Sequence, residues 1–117
     1  MDKNELKHRT KKFAHDCVKL AVKLPNTYLG NHIKGQLIRC GTSVASNYRA
    51  TCLAQSKAAF ISKISIVVEE VDESEFWLEF VNDENLLQKE YIESLKCEVN
   101  ELTSIFIASR ITAQKNR

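Results

Sequence analysis

The sequence is poor in residues that turn a chain. Its 117 residues include three Gly and one Pro, against a usual combined share of about 12%. A sheet protein of this size turns often and needs more of both. That argues against an all-β fold, and against collagen-like or Pro-rich chains. Uncharged apolar runs fall far short of the ~20 residues that cross a bilayer, so no membrane span is expected. The opening Met1-Asp2-Lys3-Asn4 does not begin a secretory signal. Cys17, Cys40, Cys52 and Cys97 include no Cys-x-x-Cys pair. Without a secretory signal these are expected to be free thiols in a cytoplasmic protein.

Catalytic signatures are missing too. There is no phosphate-binding Gly-rich loop, Walker motif or GxSxG elbow. All three histidines fall within residues 8–32. Only Glu5-Leu6-Lys7-His8 has the Glu-x-x-His spacing that di-metal bundles use twice. No catalytic residue, metal site or cofactor is expected, and the chain is not read as an enzyme.

What is present is apolar residues at helical spacing. Hydrophobic residues make up 44%, too many for a disordered tail. Leu6, Thr10, Phe13, Cys17, Leu20 and Leu24 fall on one face of a first helix. Asn4 is its expected cap, and Leu24-Pro25 its end. Asn26 and Thr27 are cap-type residues before a second helix over about 28–54. Its stripe is Ile33, Leu37, Cys40, Val44, Asn47 and Thr51. Gly30, Gly35 and Gly41 lie in it, although an interior Gly costs about 1 kcal/mol relative to Ala. Gly41 with Ala45 forms a small-residue ridge that admits a neighbouring backbone; the alternative is that these glycines are merely tolerated. Ser56 is the expected cap of a third helix over about 57–82, with Phe60, Ile64, Val67, Val71, Ser74, Leu78 and Val81 inward. Asn82-Asp83-Glu84-Asn85 is the last turn. A fourth helix follows over about 87–112. Leu87, Tyr91, Leu95, Leu102, Ile105 and Phe106 point inward there, Ile92 and Val99 broaden the face, and the tail from Gln114 frays. Four helices of ~25 residues with short links make an all-α, antiparallel up-down-up-down four-helix bundle, one domain over 1–117.

Three sets of residues go beyond a core. First, charge is divided unevenly. Residues 1–66 hold 12 Lys and Arg and three acids, and residues 67–117 hold five and twelve. Lys11, Lys12, Lys19 and Lys23, with His8 and His15 beside them, stand opposite the apolar stripe of the first helix. They read either as a solvated face or as a surface that follows a phosphate backbone. Arg39 is grouped with them. No aromatic residue interleaves these lysines, so shape and charge rather than base stacking would govern binding. Second, Ile66, Trp77 and Phe80 lie well round the third helix from its core stripe. With Glu73 they read as a subunit interface, or as part of a wide monomer core. Third, Gln36, Ser43, Asn47 and Arg49 read as a polar layer that fixes register, or as a ligand-contacting cluster. Arg49 is expected to reach Glu70 or Glu73.

The run Gln36-Leu37-Ile38-Arg39-Cys40-Gly41-Thr42-Ser43-Val44-Ala45-Ser46-Asn47-Tyr48-Arg49-Ala50 resembles the four-helix-bundle proteins of the 23S rRNA intervening-sequence family. Their second helix carries a Gln-Leu-x-Arg-Ser…Ser-Ile/Val-x-x-Asn signature. Gln55-Ser56-Lys57, Phe60-Ile61, the stretch Val68 to Glu73, and Phe76 to Glu79 are similar to one branch of it. Phe13-Ala14 and Leu24-Pro25 match as well, so the resemblance covers about residues 6–110. Cys40 stands where the family usually has Ser, and Ala50-Thr51 where many members have Glu-Gly. The family is similar to the accessory protein of diversity-generating retroelements. The resemblance implies a ring-shaped homo-oligomer, a homopentamer, in which Ile66, Trp77 and Phe80 are covered by a neighbour. Two functions stay open. One is a non-enzymatic adaptor that binds structured RNA, DNA or nucleoprotein through the basic face of the first helix. The other is a helical protein–protein scaffold whose charges hold the ring together.

Overall fold

Three side-chain caps set where the helices begin. In the computed structural model, which describes residues 1–116, α1 spans Lys3–Ala21, α2 Tyr28–Cys52, α3 Lys57–Asp83 and α4 Lys89–Lys115. Thr27 Oγ1 accepts from the Gly30 amide at 3.0 Å and Ser56 Oγ from the Ala59 amide at 3.0 Å. Each satisfies one of the free N–H groups of a first turn. The cap of α1 is Asp2, not Asn4. Its carboxylate accepts from the Glu5 amide at 2.8 Å, which puts the helix start two residues earlier. That hydrogen bond to the ionised form holds the Asp2 carboxyl below its ordinary value. Gln88 makes no side-chain cap bond to α4.

The links are short. α1 ends at Ala21, three residues before the expected Leu24. The backbone between it and Thr27 folds tightly enough that a Cβ on Gly30 would collide with the Pro25 carbonyl. Asn85 adopts a left-handed φ of 54°, a conformation Asn tolerates. The Leu86 amide then donates back to the Val81 carbonyl at 3.1 Å, closing α3. At the other end of the chain α4 runs to Lys115, three residues past the expected 112, so Gln114 and Lys115 are helical. Arg117 of the expected frayed tail lies outside the described residues.

Each helix packs on the next in sequence, and α1 also meets α4, though sparsely. The bundle is 49 Å long and about 20 Å across. The stripes read from α1, α2 and α3 do turn inward: Phe13, Cys17, Ile33, Leu37, Cys40, Val44, Val67, Val71 and Leu78 have almost no exposed surface. Phe60 is only half-buried. On α4 Leu95, Leu102 and Phe106 turn inward as expected, Ile92 and Val99 are buried with them, and Leu87 and Ile105 are half-buried. Tyr91 is instead 46% exposed. The 3–4 spacing of the apolar set decides this, since Tyr91 lies to one side of its mid-line.

Gly41 is where α1 and α2 come closest. A Cβ there would lie 2.6 Å from Cys17 Cβ and 2.8 Å from its Sγ. Gly35 has open space instead. The ridge reading therefore holds for Gly41, and Gly35 is simply tolerated. Burial pushes the Cys17 and Cys40 thiols above their ordinary values, so both behave as small apolar side chains.

Candidate nucleic-acid interface

The lysines of α1 do not form one face. The buried stripe runs down the middle, and cations flank it on two sides. Lys7, His8, Lys11 and His15 lie toward α2, and Arg9, Lys12, Lys19 and Lys23 toward α4. The two sides have different surroundings.

On the α2 side a groove of about 530 Å³ opens between α1 and α2. It exists because the facing residues are short. Ala14 and Val18 of α1 and Ala45 of α2 form its floor, and Thr42 and Ser46 one wall. Lys7, His8, Lys11, His15 and Arg49 stand around it, with Asn4 at one end. No carboxylate lines it. Among the described residues, none of these five basic side chains makes an ion pair or a side-chain hydrogen bond. Three cations, Lys7, Lys11 and Arg49, and two imidazoles thus line one concavity.

On the α4 side three of the four cations have partners. Arg9 Nε and Nη2 donate to the two oxygens of Glu98 at 2.7 Å each, and Nη2 lies 3.3 Å from Glu101. This fork ties α1 to α4 where their packing is thin. Lys12 donates to Asp16 at 2.6 Å. Lys23 Nζ sits 5.0 Å from the centre of the Tyr91 ring, within cation–π range. Lys19 is exposed and, among the described residues, has no ion-pair or hydrogen-bond partner for its side chain.

Arg39 lies apart from the lysines of α1. It projects from the far flank of α2 and pairs with Glu70 at 3.3 Å and with Glu73. This is the bridge between α2 and α3 that the sequence suggested for Arg49. Within the chain Arg49 faces α1 instead, because ten residues of helix carry it round to the other flank. The polar layer is also differently built. Asn47 is half-buried and donates to the Ser43 carbonyl of its own helix at 2.9 Å. Tyr48 takes the core position beside it and packs on Phe106, ring centres 5.4 Å apart. Ser43 and Gln36 are half-buried, and Arg49 is exposed. No network joins the four residues.

The outer side of α3 carries a second surface. Ile66 is 42% and Phe76 51% exposed. Trp77 and Phe80 are half-buried. Trp77 packs edge-on against His32 of α2, centroids 5.6 Å apart, and against Phe76 at 4.9 Å. Its buried Nε1 has no hydrogen-bond partner. Glu73 is held by Arg39. Phe76, Trp77 and Phe80 thus form one aromatic cluster on α3, and Trp77 and Phe80 are already partly covered within one chain.

Sequence reasoning grouped Lys11 with Lys12, Lys19 and Lys23 and passed over Lys7. The signal was there: Lys7 precedes Lys11 by one turn, and Ala14, Val18 and Ala45 mark the small-residue side of both helices. Among the described residues no cluster of three His, Cys, Asp or Glu could hold a metal. Among the described residues no helix is long and apolar enough to cross a membrane.

Comparison with known proteins bears on the whole chain. The model of a family described as 23S rRNA-intervening sequence protein matches residues 2–108. The chain is similar to a crystal structure of a protein with unknown function from the S23 ribosomal protein family of Bacteroides thetaiotaomicron. The two are 32% identical with a TM-score of 0.85, over 94% of this chain and 98% of that one. Among curated proteins none matches.

Proposed function

This chain belongs to the 23S rRNA-intervening sequence protein family, and from that premise we propose that it is a non-enzymatic, oligomeric adaptor that holds structured RNA in the groove between α1 and α2. The observation that carries this reading is the groove's charge, three cationic side chains, Lys7, Lys11 and Arg49, with no acid among its lining residues. Phosphate binding by Lys and Arg gains from released counterions and needs no base contact. Cations already paired with carboxylates gain less, because the pair must be broken first. That assigns the RNA to the α2 side of α1, and away from Arg9, Lys12 and Arg39. Several copies in a ring, a homopentamer by family resemblance, repeat the groove and multiply its affinity. Ile66, Phe76, Trp77 and Phe80 on α3 supply the apolar contact between copies, and the assembly works in the cytoplasm.

The test is fluorescence anisotropy with a hairpin RNA over a salt series, beside a measurement of mass in solution. Lys7→Glu/Lys11→Glu/Arg49→Glu is expected to lose about 100-fold or more in affinity and to flatten the salt dependence by about three counterions. Lys12→Glu/Lys19→Glu/Lys23→Glu is expected to stay within about 3-fold, apart from the general loss of charge. If the wild-type chain binds no RNA even at ~50 mM salt, the groove is not a nucleic-acid site. The protein–protein scaffold then takes its place. If duplex DNA competes equally, the ligand is nucleic acid in general. A monomeric mass would remove the ring.

A further inference from the structure

The floor of the α1–α2 groove is wrong for a phosphate. Ala14, Val18 and Ala45 present only carbon to whatever lies on them, and a charged group pressed against carbon loses its hydration without compensation. The cations stand at the rim. Lys7, Lys11 and Arg49 line the same groove, and long stems of this kind let the charged head stay in water while the methylenes cover apolar surface. A duplex backbone laid across such a groove would touch the rim and leave the floor empty. The recess runs from Asn4 to Val18, fourteen residues of helix or about 21 Å. Its volume of about 530 Å³ lies within the range of pockets that enclose small organic ligands, roughly 300–1,000 Å³.

A single unpaired nucleotide fits both chemistries at once. Its base has two apolar faces for the floor, and its edges can reach Thr42 and Ser46 on the wall. The imidazoles of His8 and His15 and the Arg49 guanidinium are planar groups on which an extruded base can stack. Its own phosphate and the next one along fall to Lys7 and Lys11. We infer that the groove between α1 and α2 takes up one unpaired nucleotide of a structured RNA, base on the Ala14–Val18–Ala45 floor and phosphates on the Lys7, Lys11 and Arg49 rim. The inference rests on the RNA-binding reading above and narrows it to RNA with a bulged or loop nucleotide.

Two hairpins with the same stem separate the two readings, one fully paired and one with a single bulged adenosine. Each is titrated by anisotropy against the full-length chain. The bulged hairpin is expected to bind at least 10-fold tighter than the paired one. Ala45→Leu fills the floor and is expected to bring that preference below about 2-fold. Should Ala45→Leu disturb the α1–α2 packing by circular dichroism, Ser46→Leu, at an exposed position on the wall, is expected to do the same. Equal binding of both hairpins by the wild-type chain overturns the inference and leaves the RNA-binding reading standing. A preference that survives both leucine variants also overturns it, because the base then sits elsewhere. No binding of either hairpin removes the RNA-binding reading itself, and the inference with it.

Discussion

The two sides of α1 carry similar charge and use it differently. Toward α4 three of the four cations are held in place. Arg9 forks onto Glu98 and Glu101, Lys12 bonds Asp16 and Lys23 covers Tyr91. Toward α2 Lys7, Lys11 and Arg49 stand unpaired over an apolar floor. The backbones explain the difference. Gly41 brings α1 and α2 together at Cys17, so short residues hold that contact and charge is not needed. The α1–α4 contact is sparse, and ion pairs supply part of what packing does not. A positive count along a helix therefore says little about its ligand. What matters is which cations the fold leaves unpaired.

The largest effect is expected where packing is tightest. Gly41→Ala drives a methyl into Cys17 and is expected to cost about 1–3 kcal/mol in urea unfolding, the usual range for overpacking. If stability were unchanged, the helices would be free to separate there and the account of the groove's floor would need revision. Next comes the polar strap. Arg9→Met is expected to cost about 1 kcal/mol, near the top of the range for partly exposed pairs, with the loss shrinking as salt is raised. RNA affinity should barely change, since Arg9 lies on the paired side. Gly35→Ala tests the same helix away from the contact. It meets nothing within 4 Å and is expected to stabilise the chain by up to about 1 kcal/mol. The opposite signs at Gly35 and Gly41 separate tolerance from close approach.

The smallest effect concerns pH. The folded-state value of Asp2 is depressed by the Glu5 amide. Its contribution is thus present above the ordinary carboxylate value and is lost as pH falls through the folded one. Asp2→Asn keeps an accepting oxygen and is expected to remove this increment of acid sensitivity. Hydrogen exchange at the first turn of α1 below pH 4 reads it directly.

Much of this was legible along the chain. The 3–4 spacing of apolar residues placed the cores of α1, α2 and α3, because burial repeats with the helix period. Thr27 and Ser56 were readable as caps because capping is local chemistry. The misses share a cause. Asn4 for Asp2 is a two-residue slip between adjacent cap-type residues. Tyr91 was drawn inward because Tyr is half apolar, while the narrower stripe through Ile92 and Val99 filled the space. Arg49 and Arg39 are both long cations on one helix, and nothing local says which flank faces α3. For the same reason the four lysines looked like one face. A helical wheel places residues relative to the core and does not say which neighbour stands on each side.

The sequence by itself determined that this chain is helical, where α2 and α3 begin, and most of the stripe that each helix buries, since these follow from backbone propensity, capping and period. The tertiary structure alone decided that Gly41 seats Cys17, that Arg39 meets Glu70 and Glu73, and that Lys7, Lys11 and Arg49 share an unpaired groove. Those facts depend on which helices are neighbours and on which flank each turns to the next, and only the packed bundle sets that.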